Sequence, residues 1–273
     1  MLIGCHVSIA GGVFNAPQRA ADFGCEVMQI FTRSPQGGKA PELTPEVISA
    51  FKESMVKCQV SDVFVHTPFY INYASADNRI RHSTVAIVRD ELERASLLGA
   101  KYVMTHLGSA GDLSEAEATA KVAEMLKRTL DGYEGSAELL IENAAGSGKI
   151  IGATFSQLAE ILKLVNHTKL VGICMDTQHS FASGYDWRDF ENTLKKIDSE
   201  IGLKNIKLMH VNDSKTEFSS RKDRHEHIGK GLIGQDAFKN IVTFANEKDV
   251  PMICETEFDF VAEDISLLKK LRG

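Results

Sequence analysis

Six short apolar segments of this chain each end in a histidine or a carboxylate, and this recurrence constrains the fold more than any other feature. The six residues are His66, His106, Glu142, Asp176, His210 and Glu255. All strands of a parallel barrel point the same way, so the side chains at their carboxyl ends meet at one face. The recurrence therefore predicts a parallel barrel with a cluster of polar side chains at its mouth.

Short apolar runs alternate with amphipathic stretches along the whole chain. Eight strand-like runs are each followed by a helical pattern, at roughly 34 residues per unit, which is typical of a (β/α)8 barrel. The helical patterns cover residues 15–23, 45–57, 81–98, 114–130, 154–164, 187–201, 235–246 and 263–271. An open doubly wound sheet is the alternative, but it would collect ligands at one switch point and not from strands spread between positions 66 and 255. We expect an α/β fold, a TIM (β/α)8 barrel, as a single domain over residues 1–273.

The amino-acid composition and the cysteine spacing indicate which class of protein this is. A hydrophobic fraction of 43% and a charged fraction of 25% are typical of a soluble globular protein. No stretch approaches the roughly 18 apolar residues of a membrane span, and the N-terminus runs directly into a strand pattern, so we expect neither membrane nor signal peptide. The five cysteines show no CxxC spacing, which argues against a disulfide framework and a thiolate zinc site and favours the cytoplasm.

Nine histidines and carboxylates are candidate metal ligands. They are His66, His106, Glu142, Asp176, His179, His210, Asp223, His225 and Glu255. Zinc takes histidine nitrogens and carboxylate oxygens and leaves a position for water at catalytic sites. One histidine at a strand end is most often a solvated or hydrogen-bonded residue, but scattered surface histidines have no reason to follow apolar runs. The joint placement therefore predicts a metal site, with His6 and His227 as residues beside it or unrelated to it.

Two further features suit a polyanionic substrate. Phe69 and Tyr70 follow the strand that ends at His66; loop aromatics can wedge between bases or stack on them, and core packing of one of the two is the alternative. Several cations surround Asp223 and His225, namely Lys215, Arg221, Lys222, Arg224 and Lys230. They suit a phosphate backbone, although such a run is usually a solvated face. The net charge of −6 does not exclude this substrate, because several acids in that sum are candidate ligands.

Five sequence stretches together resemble the endonuclease IV family of apurinic/apyrimidinic endonucleases, and the resemblance runs nearly end to end. The stretches are GCHVSIAGG from Gly4, LIENAAG from Leu140, DTQH from Asp176, HVNDSK from His210 and DRHEHIGKG from Asp223. The resemblance implies a single xylose-isomerase-like TIM barrel domain that holds three zinc ions, with Mn²⁺ or Fe left open at some positions. It assigns one zinc to His66 and His106, with Glu142 bridging to a second bound also by Asp176, His210 and Glu255. It assigns the third to His179, Asp223 and His225.

The resemblance also implies an activity. Enzymes of this family hydrolyse the phosphodiester bond 5′ to an abasic site in double-stranded DNA, leaving a 3′-hydroxyl and a 5′-deoxyribose phosphate, and they remove blocked 3′ ends. The expected catalytic residues are Glu142 and Glu255. Candidate DNA contacts are Phe69, Tyr70, Gln36, Lys215 and Arg224. We expect a cytoplasmic monomer of base excision repair.

Three positions depart from the family pattern. Gln178 stands where a cysteine is common, and Glu257 stands where a proline usually follows Thr256. Neither change removes a ligand. The loop of residues 33–38 lacks the arginine and tryptophan that many members use near DNA, so Phe69 and Tyr70 are the main wedge candidates.

Two other functions use similar residues. A sugar isomerase or epimerase on the same barrel would hold one divalent metal with a set like Glu142, Asp176, His210 and Glu255. Such an enzyme has no use for His66, His106 or the Asp223-Arg224-His225 triplet. A non-catalytic DNA-damage binding module would have broken ligand positions, and none is broken.

Overall fold

Eight parallel strands close into a barrel in the computed structural model, which describes residues 1–273. The barrel strands are β1 (Ile3–His6), β2 (Val27–Ile30), β3 (Asp62–His66), β4 (Tyr102–Thr105), β5 (Glu138–Glu142), β6 (Leu170–Asp176), β7 (Ile206–His210) and β10 (Met252–Cys254). Neighbours in sequence are neighbours in space, and β1 pairs with β10 to complete the ring. The expected TIM barrel is confirmed.

Helices surround the barrel. They are α1 (Ala16–Asp22), α2 (Pro45–Lys57), α3 (Asn78–Leu98), α4 (Glu115–Leu130), α5 (Phe155–Val165), α6 (Thr177–Ser183), α7 (Phe190–Ile201), α8 (Gln235–Glu247) and α9 (Val261–Arg272). None of these helices combines the length and the apolar character that crossing a bilayer requires.

Two helices differ from the sequence pattern. The helix expected from Trp187 begins at Phe190, because the Trp187 indole is buried and its Nε1 donates to the carbonyl of Thr177. The segment after Asp176, which contains candidate ligands, is not a loop but the short helix α6. Asp176 caps this helix, since its Oδ1 accepts from the main-chain N–H of His179 at 2.7 Å. One carboxylate therefore fixes the position of a second candidate ligand.

The interior of the barrel is packed with side chains. Eight residues form a buried cluster separate from the larger core between the sheet and the helices: Val27, Phe64, Tyr102, Met104, Leu140, Cys174, Leu208 and Ile253. Because successive side chains of a strand point to opposite faces, the residue two positions further on points inward again. This period of two places the candidate ligands in a layer directly above the packed interior.

A small antiparallel hairpin rises beside the mouth between β7 and α8. It consists of β8 (Asp213–Ser214) and β9 (His225–Glu226). Asp213 is fully buried, and its carboxylate accepts hydrogen bonds from the main-chain N–H groups of Gly229, Gly231, Ile233 and Gly234. The hairpin and the segment after it are thus held against the barrel by one side chain.

Candidate metal centre

One layer of eight polar residues forms the floor of the barrel mouth. Each barrel strand contributes the residue two positions after an inward-facing one: His6, Gln29, His66, His106, Glu142, Asp176, His210 and Glu255. Six of these are the candidate ligands at strand ends. His106 and Glu255 lie one position beyond β4 and β10. The layer also contains His6 and Gln29. The alternation of side chains along a strand therefore accounts for the predicted ligands and also for Gln29, which the sequence reasoning missed.

Glu142 lies at the centre of the first group. One ligand atom from each of His66, His106 and Glu142 lies within 4.8 Å of the others. The Nε2 atoms of His66 and His106 are 3.5 and 3.6 Å from Glu142 Oε2. These separations are longer than a hydrogen bond and suit atoms that share one cation.

The second group uses the other oxygen of Glu142. Glu142, Asp176, His210 and Glu255 bring ligand atoms within 4.8 Å of one another. His210 Nδ1 lies 2.8 Å from Glu142 Oε1 and 3.2 Å from Glu255 Oε2. Glu142 therefore faces two adjacent groups, one with each carboxylate oxygen.

The third group joins α6 to the hairpin. Asp223 lies between two histidines, with its oxygens 3.2 Å from His179 Nε2 and 3.3 Å from His225 Nε2. Asp176 also belongs here, because it, His179 and His225 bring ligand atoms within 4.8 Å of one another. The structure thus brings together all nine candidate residues, and it adds Asp176 as a link between the second and third groups.

Two buried atoms without partners test whether cations fit these residues. Glu142 Oε2 and His225 Nε2 are inaccessible to solvent and form no hydrogen bond. A buried polar atom left unsatisfied costs about 1–3 kcal/mol. Each of the two atoms faces other candidate ligands, Glu142 Oε2 in the first group and His225 Nε2 in the third, and a divalent cation in each group would satisfy the atom. The donor set of imidazole nitrogens and carboxylate oxygens fits zinc.

Neighbouring histidines and carboxylates of the three ligand groups shift one another's pKa values. Burial alone would raise the pKa of Glu142, but the positive charges of His210 and His106 and the hydrogen bond with His210 hold it well below its ordinary value. Burial would lower the pKa of His179, but the Asp176 charge and the contact with Asp223 raise it to about 10. Glu255 also has a lowered pKa: burial opposes the shift, and the charge of His210 outweighs it. Glu142 and Glu255 are therefore ionised at neutral pH and attract cations.

Gln29 fixes the orientation of the second group. A carboxylate only accepts hydrogen bonds, so the Gln29 amide nitrogen must be the atom that faces Glu255 Oε1, at 2.6 Å. The amide oxygen then faces His210 Nε2 at 2.7 Å, so this nitrogen carries the proton. A cation bound by this group would displace the proton from Nδ1, the atom of His210 that faces Glu142 and Glu255. Sequence reasoning missed this residue, which is fully buried.

Two asparagines hold Asp176 and Glu255. The Asn212 amide donates to Asp176 Oδ2 at 2.7 Å, and its oxygen accepts from the main-chain N–H of Glu255 at 2.8 Å. Asn143 accepts from the main-chain N–H of Asp176 at 2.7 Å. Both asparagines lie in the stretches that resemble the family, but the sequence did not predict that they support ligands.

The expected aromatic contacts are exposed beside the mouth. Phe69 is 63% exposed and Tyr70 38%, so neither packs into the core. Gln36 is also exposed on the neighbouring loop, where Gly37 lies next to the Tyr70 ring. Arg33 in the same loop is instead buried in ion pairs with Glu91 and Asp90.

The expected cationic contacts differ in availability. The Lys215 ammonium is paired with Glu257 at 2.9 Å. The Arg224 guanidinium donates to the main-chain carbonyl of Asp223 and lies at the surface. The pairing of Lys215 depends on Glu257, one of the departures from the family pattern.

A pocket of about 250 Å³ opens beside the first and third groups. It is lined by His106, His179 and Asp223 and by mostly small or apolar residues, with Phe69 and Ile71 among them. Such a pocket can hold a small uncharged group, and cations bound at the adjacent ligand groups would hold an anion.

Known proteins match this chain along its length. The family model described as xylose isomerase-like TIM barrel matches residues 17–271. A protein from Methanoculleus marisnigri named "Probable endonuclease 4" is 40% identical over 276 residues, covering 100% of this chain and 98% of the relative. Endonuclease IV from Thermus thermophilus superposes with a TM-score of 0.88 at 32% identity, covering 99% of this chain and 98% of that one.

One solved structure whose name indicates a different function shares only the fold. A D-tagatose 3-epimerase-like protein superposes with a TM-score of 0.77 at 22% identity, covering 99% of this chain and 97% of that one. The two relatives at 40% and 32% identity, both matched over nearly their full length, are named endonuclease 4 and endonuclease IV. Together with the three ligand groups, they show that the chain belongs to the endonuclease IV family.

Proposed function

We propose that this endonuclease is a zinc-dependent apurinic/apyrimidinic enzyme of base excision repair. It hydrolyses the phosphodiester bond 5′ to an abasic site, leaves a 3′-hydroxyl and a 5′-deoxyribose phosphate, and removes 3′ blocking groups. One observation carries the proposal: three adjacent ligand groups share Glu142 and Asp176 at one barrel mouth. Three cations suit a phosphodiester, whose attacking, non-bridging and leaving oxygens all carry negative charge during hydrolysis.

Nine residues would hold the cations. The proposed sets are His66, His106 and Glu142; Glu142, Asp176, His210 and Glu255; and His179, Asp223 and His225. When bound, zinc lowers the pKa of water to about 7 and neutralises phosphate charge. Mn²⁺ or Fe at some positions would serve the same roles. The residues contribute fixed positions, because most of them are buried and hydrogen-bonded.

Glu142 and Glu255 are the proposed catalytic residues. Glu142 holds two groups at a fixed separation through its two oxygens. Glu255 is ionised at neutral pH and more exposed than Glu142, with 17% of its side chain accessible against 1%. Its Oε2 is therefore placed to accept a proton from water that enters the mouth.

The pocket beside the ligands supports an abasic substrate. Flipping an abasic nucleotide out of a duplex is cheap, since it has no base to unstack or unpair. The apolar walls around Phe69 and Ile71 can accept the bare sugar while His106, His179 and Asp223 lie next to its phosphate. Exposed Phe69 and Tyr70 can fill the gap left in the helix. We further propose that the protein acts as a monomer in the cytoplasm.

A sugar isomerase or epimerase is the second candidate. The fold likeness to the epimerase-like protein favours it, and the group of Glu142, Asp176, His210 and Glu255 alone would serve one metal. That function leaves the other two groups without a role.

The test measures metal content together with incision of a duplex that carries one synthetic abasic site. Wild type is compared with His225→Ala and with the control His167→Ala, a histidine at the opposite end of the barrel before β6. We expect about three metals and a nick 5′ to the lesion in wild type and control, with fewer metals and no efficient nick in His225→Ala. One metal per chain, no nick and conversion of a ketose would instead support the isomerase.

A further inference from the structure

A separate cavity lies at the end of the barrel opposite the candidate metal centre. It measures about 270 Å³ and is formed by the segments that lead into β4, β7 and β10. Because β4 lies across the ring of strands from β10, the cavity spans the lower opening of the barrel, where the strands begin. None of the nine candidate ligands lines it, so the metal centre does not account for it.

The apolar part of the cavity continues the packed interior of the barrel. Tyr102 belongs to the interior cluster and also lines the cavity. Ile206 stands two positions before the interior residue Leu208, and the alternation of side chains directs it inward as well. Pro251 stands in the same relation to Ile253. The uncharged part of a ligand would therefore meet an apolar surface here.

Four lysines without partners line the same cavity. None of their ammonium groups forms a hydrogen bond or an ion pair within the chain; they are Lys101, Lys204, Lys207 and Lys248. Asp249 is the one acid in the lining, and its carboxylate lies 3.3 Å from the N-terminal ammonium. Four lysines and one aspartate leave a net side-chain charge of +3, in a chain whose net charge is −6. A cleft lined by charges of one sign concentrates ions of the opposite sign, so this cavity attracts anions.

Tyr102 adds a neutral donor beside one of the lysines. The Lys101 Nζ lies 5.0 Å from the centre of the Tyr102 ring, within the range of a cation–π contact. The ring stacks on Phe64 inside the barrel, with the ring centres 5.9 Å apart, which fixes its position. The Tyr102 hydroxyl forms no hydrogen bond within the chain, although the residue is buried. The lining thus places an ammonium group and a free hydroxyl side by side, and an anionic oxygen can accept from both.

The donors and the volume select the class of ligand. Lysine ammonium groups bind phosphate as compact point charges, and a net charge of +3 suits several linked phosphates better than one. The volume lies just below the roughly 300–1,000 Å³ of small-molecule pockets, which favours a small ligand over a folded partner. We propose that this cavity binds a small molecule with two or more phosphate groups, of the class of nucleoside diphosphates. The inference does not depend on the proposed function, because the cavity and the metal centre lie at opposite ends of the barrel.

The test is titration calorimetry of ADP into the metal-loaded protein at low ionic strength. Wild type is compared with the cavity variant Lys204→Ala/Lys248→Ala and with the control Lys52→Ala/Lys57→Ala, which removes two exposed lysines of α2 and so has the same net charge. We expect the dissociation constant to rise by about tenfold or more in the cavity variant and to change by less than about twofold in the control. ADP that binds cations at the metal centre contributes equally in all three proteins.

Protection of lysines from acetylation locates the bound ADP. In wild type, ADP should protect Lys101 and Lys207 from an amine-reactive reagent, as read by mass spectrometry, and should leave Lys52 unprotected. Incision of an abasic duplex should be the same in the cavity variant and the control, because none of the substituted lysines lies at the metal-binding mouth. Loss of ADP binding with intact incision supports the cavity site.

Three outcomes overturn the proposal. Equal dissociation constants in all three proteins, with no protection of Lys101 or Lys207, mean that ADP binds at the metal centre alone. Inorganic phosphate that binds as tightly as ADP, and that the cavity variant weakens equally, refutes the assignment to linked phosphates. An oligoglutamate peptide that binds more tightly than ADP, and loses affinity in the cavity variant, replaces the small molecule with an acidic protein segment.

Discussion

At the scale of single residues, Gln29 shows how a neutral side chain controls a charged centre. It is the one uncharged, non-titrating member of the layer of eight polar residues at the barrel mouth. Its amide contacts His6, Glu255 and His210 at 3.0, 2.6 and 2.7 Å. A glutamine inside a buried parallel strand must find such partners, because an unsatisfied buried amide is costly. That requirement could have identified it from the sequence.

Replacing Gln29 should weaken zinc binding by the second ligand group. Gln29→Met keeps the volume but removes both hydrogen bonds that orient His210 and Glu255. Loss of such a supporting partner typically costs 10–100-fold in metal affinity or activity. We therefore expect zinc affinity at this group, measured by competition with a chelator, to fall by about 10–100-fold.

The control for this variant is Gln18→Met, on the exposed face of α1. It should bind zinc as wild type does. The ¹⁵N spectrum of His210 gives a second readout: wild type should carry its proton on Nε2, and Gln29→Met should lose that preference. A variant with wild-type zinc affinity and an unchanged tautomer would refute the orienting role.

At the scale of elements, the strand ends could be predicted and the hairpin could not. A buried strand ends in a clear change from apolar to polar residues, so His66, Glu142 and His210 were visible in the sequence. The strands β8 and β9 have two residues each, which is too short to show a period of two. The place of Asp223 and His225 near His179 came from the family resemblance, because a long loop has no register that a residue pattern can reveal.

Asp213 should control the third ligand group through that hairpin. Its carboxylate holds four main-chain N–H groups, and an added Cβ at Gly231 would come within 2.6 Å of one of its oxygens. Asp213→Asn turns one acceptor into a donor that opposes N–H groups, at a cost of about 1–3 kcal/mol. We expect bound zinc to fall from about three to about two per chain.

Zinc content and thermal unfolding are measured together for this variant. Asp236→Asn, an exposed aspartate near the start of α8, should change neither. Loss of stability with all zinc retained would mean that Asp213 stabilises the fold without positioning the hairpin ligands.

At the scale of the whole molecule, the barrel holds several carboxylates at one mouth, and their negative charge favours bound cations. Glu142, Asp176 and Glu255 lie at one mouth with Asp223 beside them. Buried charges without partners are strongly unfavourable. The packed interior below and the closed ring of strands keep these residues from moving apart. Cations bound at the mouth would therefore stabilise the fold, although the rest of the barrel is an ordinary apolar core.

Removing the metals should consequently lower the stability of the entire chain. A ligand held at a thousand times its dissociation constant stabilises the folded state by about 4 kcal/mol per site. Each kcal/mol shifts Tm by roughly 2–4 °C in a domain of this size class. Exhaustive chelation should thus lower Tm by roughly 10 °C or more, as measured by calorimetry, and added zinc should restore it. Magnesium should restore little, because histidine nitrogens suit zinc far better than magnesium. An identical Tm before and after chelation, with metal loss verified, would show that the ligand groups do not bind structural cations and would remove the physical basis of the proposed centre.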